Sequence, residues 1–345
     1  LRARGVRHIR GNLVLDTTHF DVPAADPGAF DNAPYAPYNA SPGALVANFN
    51  AIALRLKPAA SEVLVVPDVA LPGVAFTSRV VATDDAECNG ARRALLPVLE
   101  TGERTELTVT GHYPRSCGEQ AWALSLFEPA ATFDLIFRGL WQESGGTLAG
   151  ATVAGTAPAT EPLFAFASEP LSAALVRLNK FSNNLVTRNL FLTLGAEVYG
   201  APATLEKGAV AVRETLARRG IATQKLVLEN GAGLSRIERI SAAALNQLLR
   251  AAHASPWFPE FAAALPIVAT DGTLKRRFNG SAFAGQAHLK TGTLRDASAL
   301  AGYVQDAAGR RQSFVLLIYH AHAGKAEAAQ RALLEWVVSD TGTQR

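Results

Sequence analysis

The sequence contains no methionine and only two cysteines among its 345 residues. Its apolar runs are short, and the one at 314–319 falls far below the ~20 residues that a membrane-spanning helix needs. Lysine and arginine are scattered, so the net charge of +3 forms no dense basic stripe. The sequence therefore predicts no transmembrane segment and no nucleic-acid partner, and its mild basic balance favours carboxylate-bearing ligands.

The two cysteines, Cys88 and Cys117, lie in one β-rich stretch without a Cys-x-x-Cys spacing, and the histidines are not clustered. This pattern predicts no metal site. Two interpretations of the pair remain open. In an exported protein they form a disulfide, which contributes about 3–4 kcal/mol by closing its loop; otherwise they are two unpaired, packed thiols.

The chain opens at Leu1 without an initiator methionine, a signal peptide or an apolar leader segment. A start of this kind predicts a processed or incomplete N-terminus.

Short alternating apolar patterns, separated by turn residues, dominate the first third of the chain. They predict strands in small antiparallel sheets. The patterns occur at 11–16, 51–56, 63–66, 76–82, 107–110 and 122–126.

The apolar period becomes helical near Pro129, and the last third alternates again. Helices are predicted around 133–141, after Pro170, over 205–216 and after an N-cap at Ser241, and strands at 287–293, 299–304 and 313–319. A closing helix over 325–338 is expected to face Ala329, Leu333, Trp336 and Val337 inward. The fold class is therefore α/β, with a β-rich module at 1–128 and a core with an antiparallel sheet flanked by helices at 129–345.

Two short motifs carry chemistry. Ser182 and Asn184 form a Ser-x-Asn where one predicted helix ends and the next begins, and 290–292 reads Lys-Thr-Gly on a predicted strand. Together with a Ser-x-x-Lys, motifs of these two types are the signature set of penicillin-binding proteins and β-lactamases. Each motif alone is weak, since Ser-x-Asn at a helix start is commonly only a cap and Lys-Thr-Gly occurs by chance in loops.

The residue types suit acyl transfer to a peptide that ends in a free carboxylate. The Ser182 hydroxyl can relay a proton to the departing amine, and the Asn184 amide can hold a substrate peptide group. Lys290 places positive charge beside the reacting centre. These three residues are the candidate catalytic groups.

Three neighbours on the same predicted strand are candidate substrate-binding residues. The hydroxyls of Thr291 and Thr293 can reach the terminal carboxylate, and Gly292 leaves room for substrate backbone to pair along the strand edge. The Thr293 backbone N–H can supply half of an oxyanion hole, in which one donor is worth about 3–4 kcal/mol.

The surroundings of the motifs strengthen this interpretation. In order and spacing, the segments 179–184, 229–236, 271–274, 288–294 and 300–303 resemble the class C low-molecular-mass penicillin-binding proteins, the D-Ala-D-Ala carboxypeptidase/endopeptidase family. The segment 9–16 resembles part of that family's inserted β domain, so the resemblance covers nearly the whole chain.

The resemblance implies a penicillin-binding, β-lactamase-like core with a β-rich inserted domain. It implies a penicillin-sensitive serine peptidase of the periplasm or outer cell surface, whose partners are peptidoglycan peptides and β-lactams and which needs no cofactor. It leaves open whether the carboxypeptidase or the endopeptidase activity dominates. Two alternatives are a catalytically inactive peptidoglycan-binding scaffold and a β-lactamase-like hydrolase.

One element of the family pattern is missing. The family's nucleophile is the serine of a Ser-x-x-Lys, yet no serine of this sequence has a lysine three residues later. In the family that tetrad precedes the inserted domain, so the resemblance places it upstream of Leu1. Loss of a catalytic serine costs on the order of 10⁶ in kcat, and we therefore expect these 345 residues alone to be inactive.

Overall fold

A computed structural model describes residues 1–84 and 87–339 of the chain. These residues form two compact units, the first over Leu1–Thr160 and the second from Glu161 onward. The predicted division at residue 128, between an inserted β domain and the rest of the core, remains a prediction.

The first unit is built on a six-stranded sheet. Two short strands, β1 (His8–Ile9) and β2 (Leu13–Leu15), precede this sheet. The six strands of the sheet are β3 (Ile52–Pro58), β4 (Glu62–Pro67), β5 (Val74–Thr83), β6 (Leu95–Glu100), β7 (Thr105–Pro114) and β8 (Gln120–Leu124). The helix α1 (Pro129–Glu143) and the strands β9 (Thr147–Leu148) and β10 (Thr152–Ala154) complete this unit.

Alternation along these strands creates one buried face. Leu54 and Leu56 of β3, Val63 of β4 and Leu107 of β7 are fully buried, while the residues between them point outward. The strand order is β6-β7-β5-β4-β3-β8. The expectation of antiparallel sheets is wrong for three strand pairs among the described residues of this unit. β7 runs parallel to β5, because it returns between β5 and β6, and the short pairs β1-β9 and β2-β10 are also parallel.

The two cysteines lie in this first unit. Cys88 and Cys117 form a disulfide with a Cα–Cα separation of 5.2 Å, within the usual range for such bonds. Of the two interpretations that the sequence left open, the structure has the disulfide.

The second unit contains the five helices α2 (Leu171–Phe181), α3 (Asn184–Tyr199), α4 (Leu205–Arg218), α5 (Ala242–His253) and α6 (Phe258–Ala264). They precede the three strands β11 (Ala287–Thr293), β12 (Ala297–Gln305) and β13 (Arg311–Tyr319), and the helix α7 (Glu327–Ser339) closes the unit. The sheet is antiparallel throughout, in the order β11-β12-β13. Ser241 caps α5, as predicted, by accepting the Ala244 N–H at 3.1 Å.

The core of the second unit lies between the sheet and α7. Leu289, Leu300, Val304 and Phe314 of the three strands pack there with Leu334 of α7. Burial of these side chains, each worth about 1.5–3 kcal/mol, holds β11 in place and with it the Lys-Thr-Gly sequence.

Leu333 and Val337 of α7 pack against the core as predicted, but Ala329 and Trp336 do not face inward. Trp336 is 60% exposed, whereas Gln330 is fully buried. Gln330 is satisfied there, because its amide donates to Ser298 Oγ at 2.8 Å and its carbonyl oxygen accepts from Arg277 at 2.7 Å. A glutamine can be buried in a core when both its amide nitrogen and its carbonyl oxygen are hydrogen-bonded, although its polarity predicts a surface position.

Among the described residues, no helix combines the length and the apolar character that crossing a membrane requires.

Replacing both Cys88 and Cys117 by alanine is expected to lower the free energy of unfolding of the first unit by about 3–4 kcal/mol, because the cross-link removes chain entropy from the unfolded state. Denaturant unfolding, followed by fluorescence under oxidising conditions, measures this change. An unaltered unfolding midpoint in the double variant would contradict the expectation.

Candidate active site

The Ser-x-Asn motif lies at the junction of two helices. Ser182 ends α2 in a left-handed conformation, with φ 54° and ψ 50°. Asn183 then caps α3, because its side chain accepts the Val186 N–H at 3.0 Å. The capping role that the motif could have had therefore belongs to the middle residue, and Asn184 follows as the half-buried first residue of α3.

The Lys-Thr-Gly motif meets this junction directly. Lys290 of β11 donates from Nζ to Ser182 Oγ at 2.8 Å and to the Thr291 carbonyl oxygen at 3.0 Å. The two motifs stand 108 positions apart in the chain, so the fold alone brings them into contact. A serine hydroxyl that accepts from an ammonium group is the arrangement that a proton relay needs.

Burial changes the acidity of this lysine. Removal of the ammonium group from water lowers the pKa of Lys290 from 10.5 to about 8, because a low-dielectric environment disfavours the charged form. A lysine with a pKa near the working pH can both release and accept a proton, which the ordinary amine cannot do as easily.

One edge of β11 is open beside these side chains. The Leu289 N–H points to that edge, where it donates to the Pro266 carbonyl oxygen at 2.8 Å. Since alternate N–H groups of a strand point the same way, those of Thr291 and Thr293 face the same edge. In the described part of the chain, no other strand pairs with this edge from Lys290 onward, and Gly292 and Thr293 are exposed there.

An ion pair with a buried lysine lies beside the site. Lys180, which is 8% exposed, donates from Nζ to Asp271 Oδ2 at 2.6 Å. Two residues further on, the Thr273 hydroxyl lies 3.0 Å from that of Thr291. The sequence predicts no role for these residues, although both Lys180 and the segment 271–274 belong to the family-like pattern. Only that pattern signalled them.

The glycine-rich segment 229–236 is held by one carboxylate. Glu238 Oε1 accepts three successive N–H groups, those of residues 229, 230 and 231, at 2.9–3.0 Å. Arg236 pairs with Asp296 at 3.5 Å, close to the end of the Lys-Thr-Gly strand. The segment is thus a rigid wall on α3, where a Cβ at Gly231 would lie 2.7 Å from the Phe191 ring.

No group of three or more His, Cys, Asp and Glu side chains within residues 1–84 and 87–339 is placed to hold a metal ion.

With this geometry established, comparison with known proteins gives the family. Residues 1–339 match the model of the D-Ala-D-Ala carboxypeptidase 3 (S13) family. The chain belongs to this family.

One relative is the D-alanyl-D-alanine carboxypeptidase of Actinomadura sp. (strain R39), which is 33% identical over 95% of this chain and 62% of its own length. The Carboxypeptidase DacB of Mycolicibacterium smegmatis is 34% identical over 44% of this chain and 34% of its own length. The chain thus spans less than two thirds of either relative.

The fold is that of penicillin binding protein 4. The crystal structure of that protein from Haemophilus influenzae superposes with a TM-score of 0.74 and 22% identity, and the match covers 97% of this chain and 77% of the other. A second structure of the same protein, complexed with a β-lactam, gives a TM-score of 0.69 and 23% identity, over 93% of this chain and 70% of the other. The predicted fold class, a penicillin-binding core with a β-rich portion, is confirmed.

The lowered pKa of Lys290 predicts a pH dependence of stability. Between pH 8 and 10.5 the unfolded chain binds more protons at this residue than the folded chain, so stability rises with pH, by up to about 1.4 kcal/mol per pH unit. The contribution is complete above pH 10.5 and is lost as the pH falls to about 8.

Urea unfolding of the wild type and of Lys290→Met from pH 7 to 10.5 checks this sign, because only the wild type carries the titrating amine. Parallel curves for the two proteins would contradict it.

Proposed function

We propose that the chain is the larger part of a serine-type D-Ala-D-Ala carboxypeptidase/DD-endopeptidase that acts on peptidoglycan stem peptides through an acyl-enzyme. The observation that carries this proposal is the 2.8 Å hydrogen bond from Lys290 Nζ to Ser182 Oγ. It joins the two motifs into one proton-transfer unit beside an open strand edge.

In this proposal Lys290 and Ser182 pass a proton to the departing amine. Asn184 orients the substrate peptide group from the first turn of α3. The substrate backbone pairs with the open edge of β11, a mode of recognition in which main-chain hydrogen bonds provide affinity. The Thr293 N–H then faces the oxygen that gains negative charge, and Thr291 and the positive charge of Lys290 receive the terminal carboxylate.

The nucleophile of the proposed reaction lies outside these 345 residues. Support comes from two facts: no serine here is followed by lysine at the third position, and the chain spans 62% of the length of its Actinomadura relative. We infer that a Ser-x-x-Lys segment of the parent protein supplies the hydroxyl that is acylated. Lys290 and Ser182 of this chain then pass the proton to the departing amine.

The proposed location is outside the cytoplasm, in the periplasm or at the cell surface, because the peptidoglycan substrate lies there. The disulfide between Cys88 and Cys117 supports this location, since such bonds persist in oxidising compartments. The proposed partners are peptidoglycan peptides and β-lactams, and the β-lactam complex of penicillin binding protein 4 supports the second class.

Labelling with a fluorescent penicillin tests the proposal. The chain of 345 residues is expected to form no covalent adduct, because it lacks the acylated serine, whereas the parent protein with a Ser-x-x-Lys forms a stable one. Gel fluorescence after denaturation measures the adduct.

An adduct on the 345-residue chain would contradict the assignment of the nucleophile. Absence of an adduct on the parent would favour a peptidoglycan-binding scaffold, and rapid release of penicillin from it would favour a β-lactamase-like hydrolase.

In the parent protein, Ser182→Ala is expected to lower the rate of acylation by about 10²–10⁴, the range that general acid–base groups contribute. A stopped-flow measurement of penicillin acylation gives this rate. The matched control is Ser172→Ala, which removes a hydroxyl from an exposed position on α2. Equal rates for the two variants would remove Ser182 from the proposed mechanism.

A further inference from the structure

A short segment connects the two halves of the candidate site. We call residues 266–274 the bridging segment. Its first residues are attached to β11, because the Pro266 carbonyl oxygen accepts from Leu289 and the Val268 N–H donates to Ala287, at 2.8 and 3.0 Å. This end therefore moves with the strand that carries Lys290.

The other end of the bridging segment is attached to α2. Asp271 Oδ2 accepts from Lys180 Nζ at 2.6 Å, and Oδ1 of the same carboxylate accepts the Ile267 N–H at 2.8 Å. The backbone is also close, since a Cβ at Gly272 would lie only 2.5 Å from the Lys180 carbonyl oxygen. Gly272 has φ +55°, so both space and conformation favour glycine there.

The buried ammonium group of Lys180 depends on the carboxylate of Asp271. The Lys180 side chain is 10% exposed and that of Asp271 is 37% exposed. An ammonium group removed from water without a partner is strongly destabilising, so Lys180 keeps its position only while a carboxylate faces it. Ser182 follows two residues later in a left-handed conformation, which persists only where surrounding contacts impose it.

We propose that Asp271 is a positioning residue of this site: by binding Lys180, it holds the end of α2 where Ser182 Oγ meets Lys290 Nζ. The contact between the Thr273 and Thr291 hydroxyls, at 3.0 Å, ties the same segment to the Lys-Thr-Gly strand a second time. The significance for catalysis rests on the proposed function, whereas the positioning itself is a property of the folded chain.

The titration of Lys290 reports this positioning without any catalytic assay. The sequence contains seven lysines, so a chain labelled with carbon-13 at the lysine Cε positions gives few NMR signals, and Lys290→Met identifies the relevant one. The test variant is Lys180→Met combined with Asp271→Asn, which removes the ion pair and leaves the net charge unchanged.

In the double variant the end of α2 should withdraw and expose Lys290 to water. We expect the pKa of Lys290 to rise from about 8 toward 10.5. Lys180→Arg, which preserves the ion pair, should keep the lower pKa. The matched control is Arg177→Gln, which breaks another 2.6 Å ion pair of α2, that with Glu169, and should leave the titration of Lys290 unchanged.

An unchanged pKa of Lys290 in the double variant, or an equal rise in Arg177→Gln, would overturn the proposal. If the double variant does not fold, Lys180→Met alone is measured, because the carboxylate that it leaves is 37% exposed, and the same rise or its absence decides. Because the readout is independent of turnover, it separates this inference from the proposed function, which the penicillin adduct tests.

Discussion

The hydrogen bond between Lys290 Nζ and Ser182 Oγ is the constraint on which the site depends. The amine of this bond is buried, and this burial lowers the pKa of Lys290 to about 8. It also requires two elements from distant parts of the chain to stay in register. The core beneath β11, with Leu289 and Leu300, and the end of α2 provide that register.

In the second unit, one part of the strand β11 packs in the core and another part carries the candidate site. Leu289 faces the core, whereas Lys290 reaches Ser182 and the residues from Thr291 to Thr293 lie at an open edge. A strand fixed on one side and open on the other can bind an extended peptide without reorganising.

Much of the architecture was predictable because local patterns decide it. Strands with one buried face alternate in the sequence, as in β3 and β4, and Ser241 marks a helix start by its capping chemistry. The failures have a common cause. Gln330 is buried because of partners 32 and 53 positions away, and β7 lies parallel to β5 because of the order in which strands join the sheet.

The sequence by itself determined which chemical groups are present: a serine, an asparagine and a Lys-Thr-Gly in the order of a known family, without a Ser-x-x-Lys. Only the tertiary structure decided what they touch. Asn183, and not Ser182, caps α3, and Asp271 meets Lys180 across 91 positions. Capping and alternation are local and can be read from neighbours, but burial and long-range pairing depend on how the whole unit packs.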